Sequence, residues 1–397
     1  VEELQQLLQQ HGASFNHIHL AAAVNALGNW QQRGKLSGSW QQQVQQLLAD
    51  IEQLPQLQQL LVKCRCQQLA QLAWGLGLLG HTHTGLFTAC LDQFMQQLHD
   101  NDRPQHVSNV LYGAAKAGWE MEGGQVQQLL AALVRLLPDA NPQEVANSLW
   151  AAAKLGQAPT EQQSEQLLAA LVRLLPDATS QHVANSLWAV ASLNAAVTAE
   201  QLQQLLQDQV GKLADATSQH VANSLWAAAK LGQHLTDQQQ QQVQQSQHVR
   251  QLLAGLADKL PAAEPQHVAN SLWACAQLRV YPAELFTALD SQQQWNRLLP
   301  GMDAQALANT ALACAVLNRR DERLLAGLLQ HALHQVTSSS DARLTTQGLF
   351  NLCWSVAVLD LQQLAGSVVQ LVQAAASSQQ QWSDGSTRLH CYRCAIL

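Results

Sequence analysis

HVANSLWAAAKLG, residues His220–Gly232, is a helix-length phrase that the chain writes repeatedly. Close copies stand at Val145–Gly156, His182–Leu193 and His267–Leu278. Aligned on the Asn of Ala-Asn-Ser-Leu-Trp, the clearest copies centre on Asn147, Asn185, Asn223 and Asn270. Weaker copies put Asn109, Asn309 and Asn351 at that place. Gln71 holds it in QLAQLAWGLGLLG and His19 in HIHLAAAVNALG. From Gln71 to Asn223 the four intervals are each 38 residues; the later ones are 47, 39 and 42, and the first is 52. A fixed period of this length marks stacked supersecondary units, none of which buries its apolar face alone.

Each unit holds two helical phrases. In the copy at Thr179–Leu193, stepping about 100° per residue puts Val183, Ala184, Leu187, Trp188, Val190 and Ala191 on one arc, with His182, Asn185, Ala189 and Ser192 opposite. The second phrase is EQLLAALVRLLP at Glu165–Pro176 and VQQLLAALVRLLP at Val126–Pro138, with Leu and Val at helical spacing. The boundaries are marked as well. Asn141, Pro142 and Glu144 read as N-cap, N1 proline and the N3 acid of a capping box. Pro104 and Pro265 repeat the N1 place, and Thr179 and Thr217 read as N-caps. Gly118, Gly156 and Gly232 end first helices, and Pro138 and Pro176 stop second ones. No segment alternates as a strand would. The expected fold is all-α: an α-solenoid of about nine helical hairpins over residues 1–377, with a tail at 378–397. Gln-rich insertions near 29–45 and 237–247 read as solvated loops or extended helix ends.

Charged residues are only 12%, about half the usual share, and the net charge is −7. No global positive field draws in nucleic acid, so an anionic partner needs a local stripe. Eight cysteines are scattered, three of them (Cys275, Cys314, Cys353) inside apolar phrases, which fits a reducing compartment rather than a disulfide scaffold. No apolar run reaches the roughly 18 residues needed to span a bilayer. The start at Val1 suggests a fragment or processed form.

The repeated Asn has two readings. Asn109, Asn147, Asn185, Asn223, Asn270, Asn309 and Asn351 would form a structural ladder, each bonding a neighbouring hairpin. Alternatively they line a groove. The ladder is favoured, because a residue that reads a ligand sequence should differ between repeats. Trp74, Tyr112, Trp150, Trp188, Trp226, Trp273 and Trp354 fall within the apolar arc. They are expected in the core, where truncation to Ala costs about 3–5 kcal/mol. Variable positions are better ligand candidates. Seven residues after the Asn come Lys116, Lys154, Ser192, Lys230, Gln277, Val316 and Val358. Three residues before it come His106, Glu144, His182, His220 and His267. Together these make a mildly basic polar stripe suited to a strand of phosphates.

Nothing points to catalysis, a metal or a cofactor. There is no Gly-rich phosphate loop and no Ser-His-Asp set at telling spacing. His331 and His334, the HTH at residues 81–83, and His390 with Cys391 and Cys394 each lack the further ligands zinc needs. The chain is expected not to be an enzyme, to take no small-molecule substrate and to contact no membrane.

The 38-residue hairpin with its Val-Ala-Asn-Ser-Leu-Trp-Ala-Ala-Ala-Lys-Leu-Gly phrase resembles the octotricopeptide repeat family, organellar RNA-binding proteins most numerous in green algae. The likeness covers roughly Phe15 to Gln373 and is strongest at Asn147–Trp150, Asn185–Trp188, Asn223–Trp226 and Asn270–Trp273. Pro159 and Pro282 stand near the family's Pro-rich start to the second helix, without the Trp that follows there. The resemblance implies sequence-selective binding of single-stranded RNA by modular repeats. It also implies a chloroplast or mitochondrial location, a role in RNA stabilisation, processing, translation or ribonucleoprotein assembly, and companion proteins of that particle. The alternative is a protein-binding scaffold that uses the same surface without RNA, which the low basicity favours.

Overall fold

The computed structural model describes residues 16–34, 39–80, 84–99, 102–291, 293–338 and 344–377. Helices account for nearly all of it, and no strand occurs among the described residues. The chain divides into two compact units, Val1–Val197 and Thr198–Leu397. Each is a stack of helical hairpins, as the period predicts.

In the first unit the first helices of the hairpins are α1 (His17–Gln32), α4 (Cys66–Leu79), α6 (Pro104–Ala117), α8 (Pro142–Lys154) and α10 (Ser180–Ser192). Their partners are α2 (Ser39–Glu52), the short α3 (Leu57–Lys63), α5 (Thr84–Gln97), α7 (Gly123–Leu136) and α9 (Glu161–Arg173). The second unit opens with α11 (Ala199–Gly211). The first helices α12 (Ser218–Gly232), α15 (Pro265–Leu278), α18 (Ala304–Val316) and α20 (Thr346–Val358) follow. Between them lie α13 (Asp237–Gln245), α14 (Gln247–Asp258), α16 (Ala283–Ser291), α17 (Gln294–Leu298) and α19 (Glu322–Ser338), and α21 (Ala365–Ser377) follows the last. First helices pack on first helices: α4 on α1 and α6, α8 on α6 and α10, and α15 on α12 and α18.

The sequence signals act locally as expected at most boundaries. Asn141 and Glu144 form a reciprocal capping box, and Thr179 and Thr217 cap their helices. Gly118 and Gly156 adopt φ of +70° and +66° after their helices, a conformation that costs glycine little. Gly232 differs: it is the last residue of α12 rather than a left-handed residue beyond the end, and Gln233 caps the helix at φ −66°. Pro138 and Pro176 sit in one-turn 3-10 helices, where a missing N–H breaks no bond.

Three expectations change. The Gln-rich stretch at 237–247 is not a loop. Thr236 caps it, Gln239 closes the capping box, and Val243 packs inside, so α13 is an added helix. Residues 29–32 and 39–45 are the end of α1 and the start of α2, the helix-end alternative, and it is α3 that lengthens the first interval. The register of the first copy also moves. Asn16 caps α1 and His19 fills the N3 place, three residues after the cap. In other copies the repeated Asn lies six residues after the cap, so Ala22 takes its place, not His19, and the first interval is 49. Packing agrees. Gly28 abuts Gly75, where an added Cβ would meet Gly75 Cα at 2.8 Å, in the same register in which Gly77 abuts Gly113.

The expected tail at 378–397, the His81–His83 turn and the Cys391/Cys394 pair lie outside the described residues. Within them, Cys64, Cys66, Cys90, Cys275, Cys314 and Cys353 are free and buried. Burial pushes the Cys66 thiol up to about 12.

Candidate ligand-binding face of the first helices

The repeated Asn-Ser pair divides its work in an unexpected way. The residue after the Asn is the buried partner: Ser148, Ser186, Ser224 and Ser271 are 0% exposed, as is Thr310, and Val110 holds that place after Asn109. Ser224 and Ser271 donate to the carbonyls of His220 and His267 one turn back, at 2.9 and 2.8 Å. A small hydroxyl that can bond its own helix suits a contact where two first helices meet closely. The residue four after the Asn is small for the same reason: Gly75, Gly113, Ala151, Ala189, Ala227, Ala274, Ala313 and Ser355.

The expected asparagine ladder does not form. Asn109, Asn147, Asn185, Asn223, Asn270 and Asn309 are half-buried. Among the described residues none of these six amides has a hydrogen-bond partner. Asn351 is buried, but it accepts from Gln347 of its own helix at 2.8 Å, not from a neighbouring hairpin. The reason is angular. The Asn lies just outside the packed arc, whose edge is the buried small residue four later, about 40° away around the helix.

The aromatic column is also not in the core. Trp74, Tyr112, Trp150, Trp188, Trp226, Trp273 and Trp354 are all half-buried. Each follows a buried apolar residue by one (Leu in five copies, Ala73 and Cys353 in the others), which again lies at the edge of the arc. In the first unit Trp74 and Tyr112 stack with centroids 4.7 Å apart, and Tyr112 and Trp150 lie 5.1 Å apart. Trp150 and Trp188 are bridged by Lys154, whose Nζ is 5.9 and 5.1 Å from the two ring centres. In the second unit Trp226 and Trp273 are 6.4 Å apart and tilted. Rings 4.7–5.1 Å apart leave no room between them for a base. A planar ligand would lie along the exposed flank.

Positions 0, 3 and 7 of a copy share one helix face; they hold Asn, Trp and Lys together at Asn147, Trp150 and Lys154 and at Asn223, Trp226 and Lys230, with Tyr112 in place of Trp between Asn109 and Lys116. Lys116 and Lys154 are exposed and Lys230 is half-buried. None of the three forms an ion pair among the described residues. Ser192 continues the column in the first unit. In the second, Gln277 accepts from Gln233 at 3.0 Å, and the column ends apolar at Val316 and at Val358, which is 49% exposed.

The histidine and glutamate positions of the sequence-predicted stripe have another task. His182, His220 and His267 accept the N–H of Thr179, Thr217 and Glu264 through Nδ1, at 3.2, 3.3 and 3.2 Å. Glu144 accepts from Asn141 in the same way at 2.8 Å. They are N3 capping residues, held half-buried against their own helix starts. Burial lowers the pKa of all three histidines and raises that of Glu144. His267 also meets Ser218 Oγ of the preceding first helix at 3.1 Å. His106 departs from the pattern and pairs with Asp102 at 3.4 Å.

A further set escaped the sequence reading. Arg173 donates to the Leu137 carbonyl at 2.9 Å, Arg297 to those of Ala263 and Leu260 at 2.8 and 2.7 Å, and Gln335 to that of Met302 at 2.6 Å. Each side chain leaves a second helix and satisfies carbonyls near the turn of the preceding hairpin. The signal was their recurrence near the end of the second phrase.

No known protein family matches this chain, and no curated protein matches it. Among solved structures, a homology model of the full-length AP-3 complex in an intermediate open conformation aligns over 97% of this chain and 75% of that one. The identity is 11% and the TM-score 0.36.

Proposed function

We propose that the Asn-Trp-Lys face of the first helices binds single-stranded RNA. One observation carries the reading: unpartnered amides, half-exposed aromatic rings and cations without acidic partners recur on the same face of the first helices within each unit, six amides and three cations in all. Each component matches a need of an RNA strand. Amides bond the edges of unpaired bases, ring flanks stack on base faces, and lysines neutralise phosphates. The recurrent Asn supplies contacts common to all bases, while the residue seven later, which varies from Lys to Ser to Gln, supplies differences between repeats. The sequence resemblance to organellar RNA binders agrees with this role. Freed of the ladder, Asn147, Asn185 and Asn223 join Lys116, Lys154, Ser192, Lys230 and Gln277 as the contact set. His106, Glu144, His182, His220 and His267 leave it.

The second reading is a protein-binding scaffold, favoured by the apolar end of the column at Val316 and Val358 and by the net charge of −7. Titration of the intact chain with random-sequence single-stranded RNA, read by tryptophan fluorescence, separates the two. The RNA reading requires quenching that saturates and weakens with salt. Unchanged fluorescence and no retention of RNA on filters would leave the scaffold.

A further inference from the structure

The interval between repeats lengthens to 47 where α13 is inserted, and that insertion builds a cavity. It has a volume of about 470 Å³ and is lined by Gln244, Arg250, Leu253, Arg279, Tyr281 and Glu284, among others. That volume lies within the usual range for small-molecule sites. Leu253 is buried beneath it, whereas Tyr281 keeps 53% of its surface exposed. The first turn of α16 also borders the space.

Two features set this cavity apart from an incidental gap. Both arginines lack an acidic partner within ion-pair distance among the described residues, although Glu284 lines the same space. Arg319, close by, is tied to Asp290 and Asp321. It lies 4.1 Å from the Phe286 ring centre, and that ring is 5.5 Å from Tyr281. The second feature is backbone conformation. Nine residues after the repeated Asn, the chain turns through positive φ at Gly80, Gly118, Gly156, Asn194, Asn318 and Asp360. These residue types tolerate that region. Arg279 occupies the same place at φ +54°. A Cβ-bearing, long side chain is disfavoured there, and such strain gathers where a side chain has a use.

We infer that this cavity binds a nucleoside 5′-phosphate, with Arg250 and Arg279 on the phosphate and Tyr281 against the base. Guanidinium groups suit phosphate through paired N–H donors, and an exposed phenol ring offers a stacking face. Glutamine amides at the rim supply donors and acceptors for base edges. The ligand has two sources, a free nucleotide or the 5′ end of an RNA. The second source rests on the RNA reading above; the first does not.

The test uses the intact chain and three probes: adenosine 5′-monophosphate, and one oligoribonucleotide with either a 5′-phosphate or a 5′-hydroxyl. Binding of the phosphorylated oligonucleotide should be tighter by about ten- to a hundredfold, the worth of charge-assisted hydrogen bonds. R250Q and R279N should each remove that preference and leave the 5′-hydroxyl oligonucleotide unaffected. R279N should also keep or raise the melting temperature, because Asn suits positive φ, so lost binding cannot be blamed on misfolding. Binding of the monophosphate that depends on Arg279, with no 5′-phosphate preference among oligonucleotides, assigns the cavity to a free nucleotide. If no RNA binds yet the monophosphate does, the RNA reading fails and the cavity site stands. Equal affinity for both oligonucleotides together with no monophosphate binding overturns the inference.

Discussion

His182 accepts the backbone N–H of Thr179 through Nδ1 at 3.2 Å, while Thr179 Oγ1 accepts the N–H of His182 at 3.3 Å. The imidazole is thereby used in its neutral form, with the proton on Nε2. The same exchange recurs at His220, and at His267 the ring again accepts the cap's N–H. Burial lowers the pKa of all three from 6.5. The unfolded chain therefore binds protons first as pH falls, and stability drops as pH goes below about 6.5 towards the folded-state values. We expect the melting temperature to fall between pH 7.5 and 5.5. Glutamine fills the same N3 place at Gln163, Gln201 and Gln239. Replacing the three histidines with Gln should keep the caps and flatten that slope. A triple variant with the wild-type pH dependence would exclude the caps as its source.

Asn185→Ala should barely change stability. Its amide is half-exposed and bonds nothing, and substitutions at such places usually fall within about 0.5 kcal/mol. RNA affinity should fall instead. A drop in melting temperature with unchanged binding would restore the ladder.

Trp150→Ala should cost about 2 kcal/mol, roughly half the 3–5 kcal/mol typical of a core aromatic, because its ring is only half-buried. Urea unfolding measures this. A cost at the full core value would put the ring inside the packing.

Gly113→Ala places a methyl group on the carbonyl of Ala73, and neighbouring backbone has no room to yield. Overpacking of this kind costs about 1–3 kcal/mol, which outweighs the gain of roughly 1 kcal/mol in helix propensity. Gly124, which has nothing within 4 Å of an added Cβ, is the control and should tolerate Ala. The Trp74–Tyr112 stack should also open, visible as a change in near-UV circular dichroism.

Changing Lys116, Lys154 and Lys230 together to Gln should preserve the fold, since Gln277 already fills that place in a later repeat. It should weaken all RNA sequences alike and flatten the plot of log affinity against log salt by about 2 units, near 0.7 for each phosphate left without its lysine. Filter binding at several salt concentrations reads both. An unaltered slope would place the phosphates elsewhere.

The sequence by itself determined the period, the hairpins and most of their boundaries. Those follow from local physics: apolar residues at helical spacing, capping side chains three residues from their donors, and Gly or Pro where helices stop. It also carried Asn, Trp and Lys onto one helix face, because positions 0, 3 and 7 align on any α-helix. Tertiary structure decided where that face sits relative to the packing. Helical periodicity locates the centre of an apolar arc but not its edges, and Asn185, Ser186, Leu187 and Trp188 straddle them. How far burial reaches depends on the distance to the neighbouring first helix, which small residues such as Gly75, Gly113 and Ala151 set. Close approach buries Ser186, leaves Asn185 unpartnered and holds Trp188 at the rim. Sequence spacing likewise could not show that the histidines of the predicted stripe turn back onto their own helix starts. Nor could it show that the Gln-rich insertion folds into α13 and helps to enclose a cavity, since both depend on what each side chain meets in space.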